Sequence, residues 1–182
     1  LKAILVNDIK KDVRCVWLTG LSGSGKTTLA NELKKELDAA NIPSVLLDGD
    51  IIRKGMNKDI GFSEEARKEN IRRVAEIAKI ILQSEVMVIC AFMSPTKDIR
   101  AVAQQILGDY YCEIFVDTSI EVCIARDVKG LYKRALSGEM KNVSGIDSPF
   151  EPPVSPELII TTENSSPKQG ATLILKLLNG KT

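Results

Sequence analysis

Gly20-Leu21-Ser22-Gly23-Ser24-Gly25-Lys26-Thr27 satisfies G-x-x-x-x-G-K-[ST] at every position and lies between an apolar run and a stripe of helical spacing. Glycines let such a backbone turn tightly with its N–H groups inward, so a row of amides and a helix N-terminus surround phosphate. In a P-loop of this kind Lys26 carries a mobile positive charge to the β and γ phosphates of ATP. The Thr27 hydroxyl, with Thr28 behind it, meets the triphosphate and its Mg2+.

Reading outward from the loop, apolar runs at 13–19, 44–48, 86–92, 113–117 and 158–161 alternate with amphipathic stretches. Leu29, Leu33, Leu37 and Ala40 form one stripe; Ile71, Val74, Ala75, Ala78, Ile81 and Leu82 form another. Several runs are apolar throughout, as strands covered on both faces should be. The pattern predicts an α/β fold, a P-loop NTPase-type three-layer sandwich on a mainly parallel sheet of about five strands. Ser63 followed by Glu64 and Glu65 reads as an N-cap with an acidic first turn, which starts the second long helix and sets Arg67 and Asn70 on one face. The segment 127–156 carries Lys129, Lys133, Arg134 and Lys141, three glycines and four prolines without a long apolar run, and reads as a mobile lid.

At 182 residues the chain predicts one domain. Its 25 Lys and Arg against 24 Asp and Glu leave no global attraction to nucleic acid or to a membrane surface. No run approaches the length of a membrane span, and the N-terminus lacks the succession of a signal peptide. Cys15, Cys90, Cys112 and Cys123 show no ligand spacing and read as small core residues in a reducing cytoplasm. With no histidine, acid–base chemistry falls to carboxylates, lysine or the substrate. The chain begins at Leu1 rather than Met, the start expected of a piece cut from a longer protein.

A P-loop specifies nucleotide but not acceptor. Asn57-Lys58-Asp59-Ile60 puts isoleucine where a guanine-reading carboxylate belongs, which excludes a GTPase. The run 86–92 ends without the carboxylate that many NTPases set behind the metal-bound water, which favours transfer to a bound acceptor over hydrolysis. Asp48-Gly49-Asp50 stands at the C-terminal end of the second strand, the ligand edge of a doubly wound sheet. One carboxylate can organise Mg2+ while the other takes a proton from an acceptor hydroxyl; Asp48 is the candidate organiser and Asp50 the candidate base, with the roles exchangeable. Asp117, ending a later strand, is a rival metal carboxylate, and an Asp-Gly turn with a helix cap at Asp50 is the structural alternative. Arg53, Arg67, Asn70 and Lys129 supply donors for an anionic acceptor, arginine forks being suited to sulfate or phosphate oxygens.

These blocks extend well beyond the loop. Trp17 to Gly23, Leu47-Asp48-Gly49-Asp50 with Arg53, Asn57-Lys58-Asp59, Gly61-Phe62-Ser63, Arg67 with Asn70 to Arg73, Met93-Ser94-Pro95, Arg126 to Lys133 and Gly145-Ile146-Asp147 together resemble adenylylsulfate kinase, over nearly the whole chain. The resemblance implies transfer of the ATP γ-phosphoryl group to the 3′-hydroxyl of adenosine 5′-phosphosulfate (APS). It implies nucleotide contacts from Gly20 to Thr28 and from Arg126, and catalytic roles for Lys26, Asp48, Asp50 and Ser94, the last as a phosphoserine site that in-line displacement does not require. Acceptor contacts are implied for Asp48, Asp50, Arg53, Phe62, Arg67, Asn70, Met93, Ser94, Lys129, Asn142 and Val143, with Phe62 stacking on the adenine. It further implies a homodimer, and fusion to or association with ATP sulfurylase. The family usually has phenylalanine where this chain has Val143, so only one aromatic face is expected for the adenine, and Val143→Phe is expected to lower the acceptor KM. The alternatives are a P-loop kinase for another small acceptor, such as a nucleoside monophosphate or sugar acid, and a catalytically silent P-loop module regulating a fused sulfurylase.

Overall fold

The structure, a computed structural model, describes residues 14–180. Strands β1 (Cys15–Thr19), β2 (Ser44–Asp48), β3 (Met87–Ala91), β4 (Tyr111–Asp117) and β5 (Leu158–Thr161) form one sheet in the order β2-β3-β1-β4-β5. Every pairing is parallel. The five strands match the sequence expectation; Val13, assigned to the first, lies outside the described residues, and β4 starts two residues early at Tyr111.

Side chains along β1 alternate between two cores as the strand pleat requires. Val16 and Leu18 pack with α1 (Lys26–Ala39) and the C-terminal helix Pro167–Leu178 on one face. Cys15 and Trp17 pack on the other face with α3 (Glu64–Leu82) and α4 (Lys97–Leu107), α2 being the short Gly49–Lys54. Both stripes read from the sequence therefore face the core. No disulfide joins the four cysteines, and all are buried.

Parallel pairing brings every strand's C-terminal end to one edge. The chain leaves β1 toward β2 on one side and later crosses to β4 on the other, so the turn after β1 occupies the topological switch point. Local chemistry sets the helix starts around that edge. Ser63 Oγ accepts from Ala66 N at 3.2 Å, as expected for the start of α3. Asp48 caps α2 by accepting from Asp50 N at 2.9 Å, so the cap is Asp48 rather than Asp50. Helix α5 (Ile120–Arg126) leads into the segment foreseen as a lid. That segment contains α6 (Leu131–Leu136), which the basic, glycine-bearing sequence concealed. Asp127 organises it by accepting from Tyr132 N and Lys133 N at 3.0 and 2.9 Å. The C-terminal helix, α7 (Pro167–Leu178), begins with a reciprocal capping box between Ser166 and Gln169.

Candidate active site

The loop after β1 is shaped by what its glycines permit. A Cβ on Gly20, whose φ is 152°, would lie 2.5 Å from the Val116 carbonyl oxygen; one on Gly25, at φ 102°, would lie 3.3 Å from Thr162. Gly25 is also the N-cap of α1, which has no side-chain cap, so the first amides of that helix are kept for another acceptor. Lys26 is buried beneath the loop, donating to the carbonyls of Gly20 and Leu21 at 2.8 and 2.6 Å and reaching Ser24 Oγ at 3.4 Å. Burial, then the neighbouring charge of Lys129, pulls its ammonium down to about 8.

Four further side chains brace the loop. Thr118 and Thr162 hydroxyls donate to Ser24 O at 3.0 and 2.9 Å. Tyr132, from α6, donates to Ser22 O at 2.8 Å. Arg126 donates to Gly23 O at 3.2 Å, to Thr162 Oγ1 at 3.0 Å and to Thr162 O at 3.3 Å. Beside these contacts lies a cleft of about 260 Å³ lined by Gly25, Thr28, Arg126, Thr162, Ser165, Pro167 and Gly170 among others. Arg126 and Thr28 were foreseen here. Thr162 to Pro167 were not, although a turn-rich run directly after the last strand, on the ligand edge, is the signal that could have found them.

Asp48 stands directly beside the loop. It is buried at the end of β2 and accepts from Thr27 Oγ1 at 2.8 Å through Oδ2 while Oδ1 caps α2. A hydroxyl and a carboxylate side by side beneath a phosphate cradle are hard oxygen donors, a set that fits Mg2+. Among the described residues no group of three or more His, Cys, Asp or Glu side chains is arranged to hold a metal ion. Asp50, two residues on, is exposed and accepts from Lys129 Nζ, which joins the start of the segment 127–156 to the acid pair.

Across from the loop stands a second group. Arg53 NH1 donates to the carbonyls of Ile60 and Gly61, each at 3.1 Å, and its guanidinium carbon sits 4.5 Å from the centre of the Phe62 ring. Arg67, one helical turn before Asn70, donates from Nε to Phe62 O at 3.0 Å and from NH2 to Asn142 O at 2.6 Å. Its own guanidinium carbon is 5.9 Å from the same ring, which remains 55% exposed. Burial, and then the nearby Arg53 charge, lowers Arg67 from its ordinary value, so an anion between the two would relieve both. Asp147 fixes the approach of Asn142 and Val143 by accepting from both amides, at 2.8 and 2.6 Å.

Two residues implied for the site are buried in this structure. Ser94 is fully enclosed: its Oγ accepts from Trp17 Nε1 at 3.1 Å and donates to Thr19 Oγ1 at 3.0 Å, while its carbonyl accepts from Arg100 at 3.1 Å. A hydroxyl so occupied pins the loop after β3, with half-buried Met93 beside it, and is not presented as a nucleophile. Val143 is 3% exposed and packs with Leu21, Cys123 and Tyr132 in a small core of the segment 127–156.

A P-loop kinase accounts for both halves of this edge, a phosphate grip on one side and an anion-binding, aromatic arm on the other. The chain belongs to the adenylylsulphate kinase family, whose sequence pattern matches residues 12–161. It is 45% identical to adenylyl-sulfate kinase of Clostridium kluyveri over 91% of this chain and 83% of that one. It is 46% identical to the bifunctional enzyme NodQ of Rhizobium tropici over 91% of this chain, which spans only 26% of that longer protein. Among solved structures, the APS kinase of Mycobacterium tuberculosis in complex with AMPPNP and APS superposes with a TM-score of 0.89 at 38% identity, covering 92% of this chain and 98% of that one.

Proposed function

We propose that this chain phosphorylates the 3′-hydroxyl of adenosine 5′-phosphosulfate at the expense of ATP, giving 3′-phosphoadenosine 5′-phosphosulfate and ADP. The observation that carries the reading is the placement of Asp48-Gly49-Asp50 between two half-sites, with Asp48 on the P-loop's Thr27 and Asp50 facing the start of the lid. The relatives named adenylyl-sulfate kinase, and the M. tuberculosis enzyme solved with APS, support the choice of acceptor.

In this reading the phosphates of ATP rest on Gly20 to Thr28, with the base in the cleft beside Arg126 and Thr162. Lys26 turns from the loop carbonyls to the β and γ oxygens. Thr27 and Asp48 would hold Mg2+, which when bound would offset charge on the phosphate oxygens. Arg53, Arg67, Asn70 and Lys129 receive the phosphosulfate end of APS, and Phe62 stacks on its adenine. Asp50 accepts the proton of the 3′-hydroxyl as that oxygen attacks in line, and a change of partner by Lys129 from Asp50 to the incoming anion couples acceptor arrival to release of the base.

The segment 127–156 serves as the lid, anchored through Tyr132 and opening at the Asn142 contact with Arg67. A single catalytic domain, a homodimer and a joined or associated ATP sulfurylase belong to the same proposal, the last supported by the match to a bifunctional enzyme. A cytoplasmic setting is supported by four buried cysteines without a disulfide, and no helix among the described residues is long and apolar enough to cross a membrane.

The test is release of ADP from magnesium-ATP with and without APS. ADP that depends on APS supports the proposal, and equal ADP release in its absence contradicts it.

A further inference from the structure

Asn57 takes no part in the chemistry above, yet its side chain is among the most enclosed polar groups in the protein, at 0% exposure. Its Nδ2 donates to Asn70 Oδ1 at 3.0 Å and also approaches the Asn70 carbonyl oxygen at 3.5 Å. Its Oδ1 is buried with no hydrogen-bond partner. A leucine of similar volume would fill this space without an orphaned oxygen, so the amide's value lies in what its NH2 does to Asn70.

The polarity of the pair is set by its surroundings. The Asn57 terminal atom that faces Asn70 lies near two oxygens, one from the side chain and one from the main chain, and only an NH2 group is attracted to both. Asn70 must therefore turn its own Oδ1 toward Asn57, and its Nδ2 toward the face it shares with Arg67, one turn earlier on α3. Asn70 Nδ2 makes no hydrogen bond among the described residues and is not among the buried unpartnered atoms. With Arg67 on the same face of α3 this adds an amide donor to a guanidinium, a pair matched to the oxygens of an anionic acceptor.

We infer that Asn57 is a positioning residue that locks the Asn70 carboxamide as a hydrogen-bond donor toward the acceptor. The inference rests on the acceptor site proposed above. An independent brace, Arg73 to Asp59 at 3.0 and 2.9 Å, ties the same loop to α3 without touching Asn70. This separates holding the loop from orienting the amide, and Asp59→Asn serves as the control for the former.

The experiment is steady-state kinetics with melting temperatures on wild type, Asn57→Leu, Asn57→Asp, Asn70→Ala, Asp59→Asn and the Asn57→Leu/Asn70→Ala double variant. A hydrogen bond to a charged group is worth about 10- to 100-fold in binding. Asn57→Leu is expected to raise the APS KM by about tenfold. Asn57→Asp, which forces Asn70 to present oxygen, is expected to raise it more. The ATP KM should stay within about twofold, and Asp59→Asn should leave the APS KM near wild type. Because Asn57 acts through Asn70, the double variant should be no worse than Asn70→Ala alone. If Asn57→Asp fails to fold, Asn57→Leu and the double variant decide. A folded Asn57→Leu with an unchanged APS KM, a parallel rise in both KM values, or additive effects in the double variant would each overturn the inference. Wild type that releases no ADP in response to APS would instead overturn the acceptor reading on which the inference stands.

Discussion

The donor half of the site is made by main chain and the acceptor half by side chains. Around the P-loop, glycines admit close approach, the helix start is left without a side-chain cap, and Lys26, Tyr132, Arg126, Thr118 and Thr162 all bond loop carbonyls. On the other side, Arg53, Phe62, Arg67 and Asn142 come from separate segments, held by short-range bonds to Ile60 and Phe62 and one long-range bond from Arg67 to Asn142. A grip of backbone amides is preformed and indifferent to the nucleotide's acceptor. A grip of side chains can be specific, because its donors match one ligand and its elements can move apart to admit it.

The largest expected effect probes the junction of the two halves. Asp50→Asn removes the proposed base but leaves the P-loop intact, so kcat should fall by about 10²- to 10⁴-fold while ATP affinity measured by calorimetry changes little. Wild-type turnover in that variant would remove Asp50 from the mechanism.

A second prediction concerns the donor half alone. With Lys26 near 8 in the free protein, and its charged form favoured by phosphate, ATP binding should take up about half a proton at pH 8 and weaken as pH rises from 7 to 9. Calorimetry in buffers of different ionisation enthalpy reads this uptake. The folded-state value lies below the ordinary 10.5, so burying the charge costs stability below about 8, and that cost is relieved as pH rises toward 10.5. An affinity flat across this window, with no buffer dependence, would contradict the assignment.

The smallest effect concerns the tether between the halves. Tyr132→Phe loses the bond to Ser22 O and should cost about 1 kcal/mol, lowering Tm by about 2–4 °C with kcat nearly unchanged. A large loss of kcat at unchanged Tm would show that the phenol acts in turnover and not as an anchor.

The same contrast explains what could be read from the chain. The P-loop was legible because glycine spacing and its lysine are local, and the parallel sheet because covered strands are apolar on both faces. Cap chemistry placed the start of α3 at Ser63. The acceptor residues could be named from resemblance, but no local pattern encodes that the Asn142 carbonyl meets Arg67, 75 positions earlier. Helix α6 was hidden because its one fully enclosed anchor, Tyr132, is surrounded by charge and glycine in the sequence. Ser94 and Val143 were harder to place for a related reason: a small hydroxyl or apolar residue in a site motif does not reveal how far it is enclosed, and both are buried here.

The division into two half-sites is tested most directly by the KM values for ATP and APS in Arg126→Ala and Arg67→Ala, measured side by side. Arg126 borders the cleft beside the P-loop, and Arg67 belongs to the Phe62 arm. Each substitution should therefore raise the KM of its own substrate about tenfold or more and leave the other within about twofold. A rise of both KM values in both variants would contradict the separation.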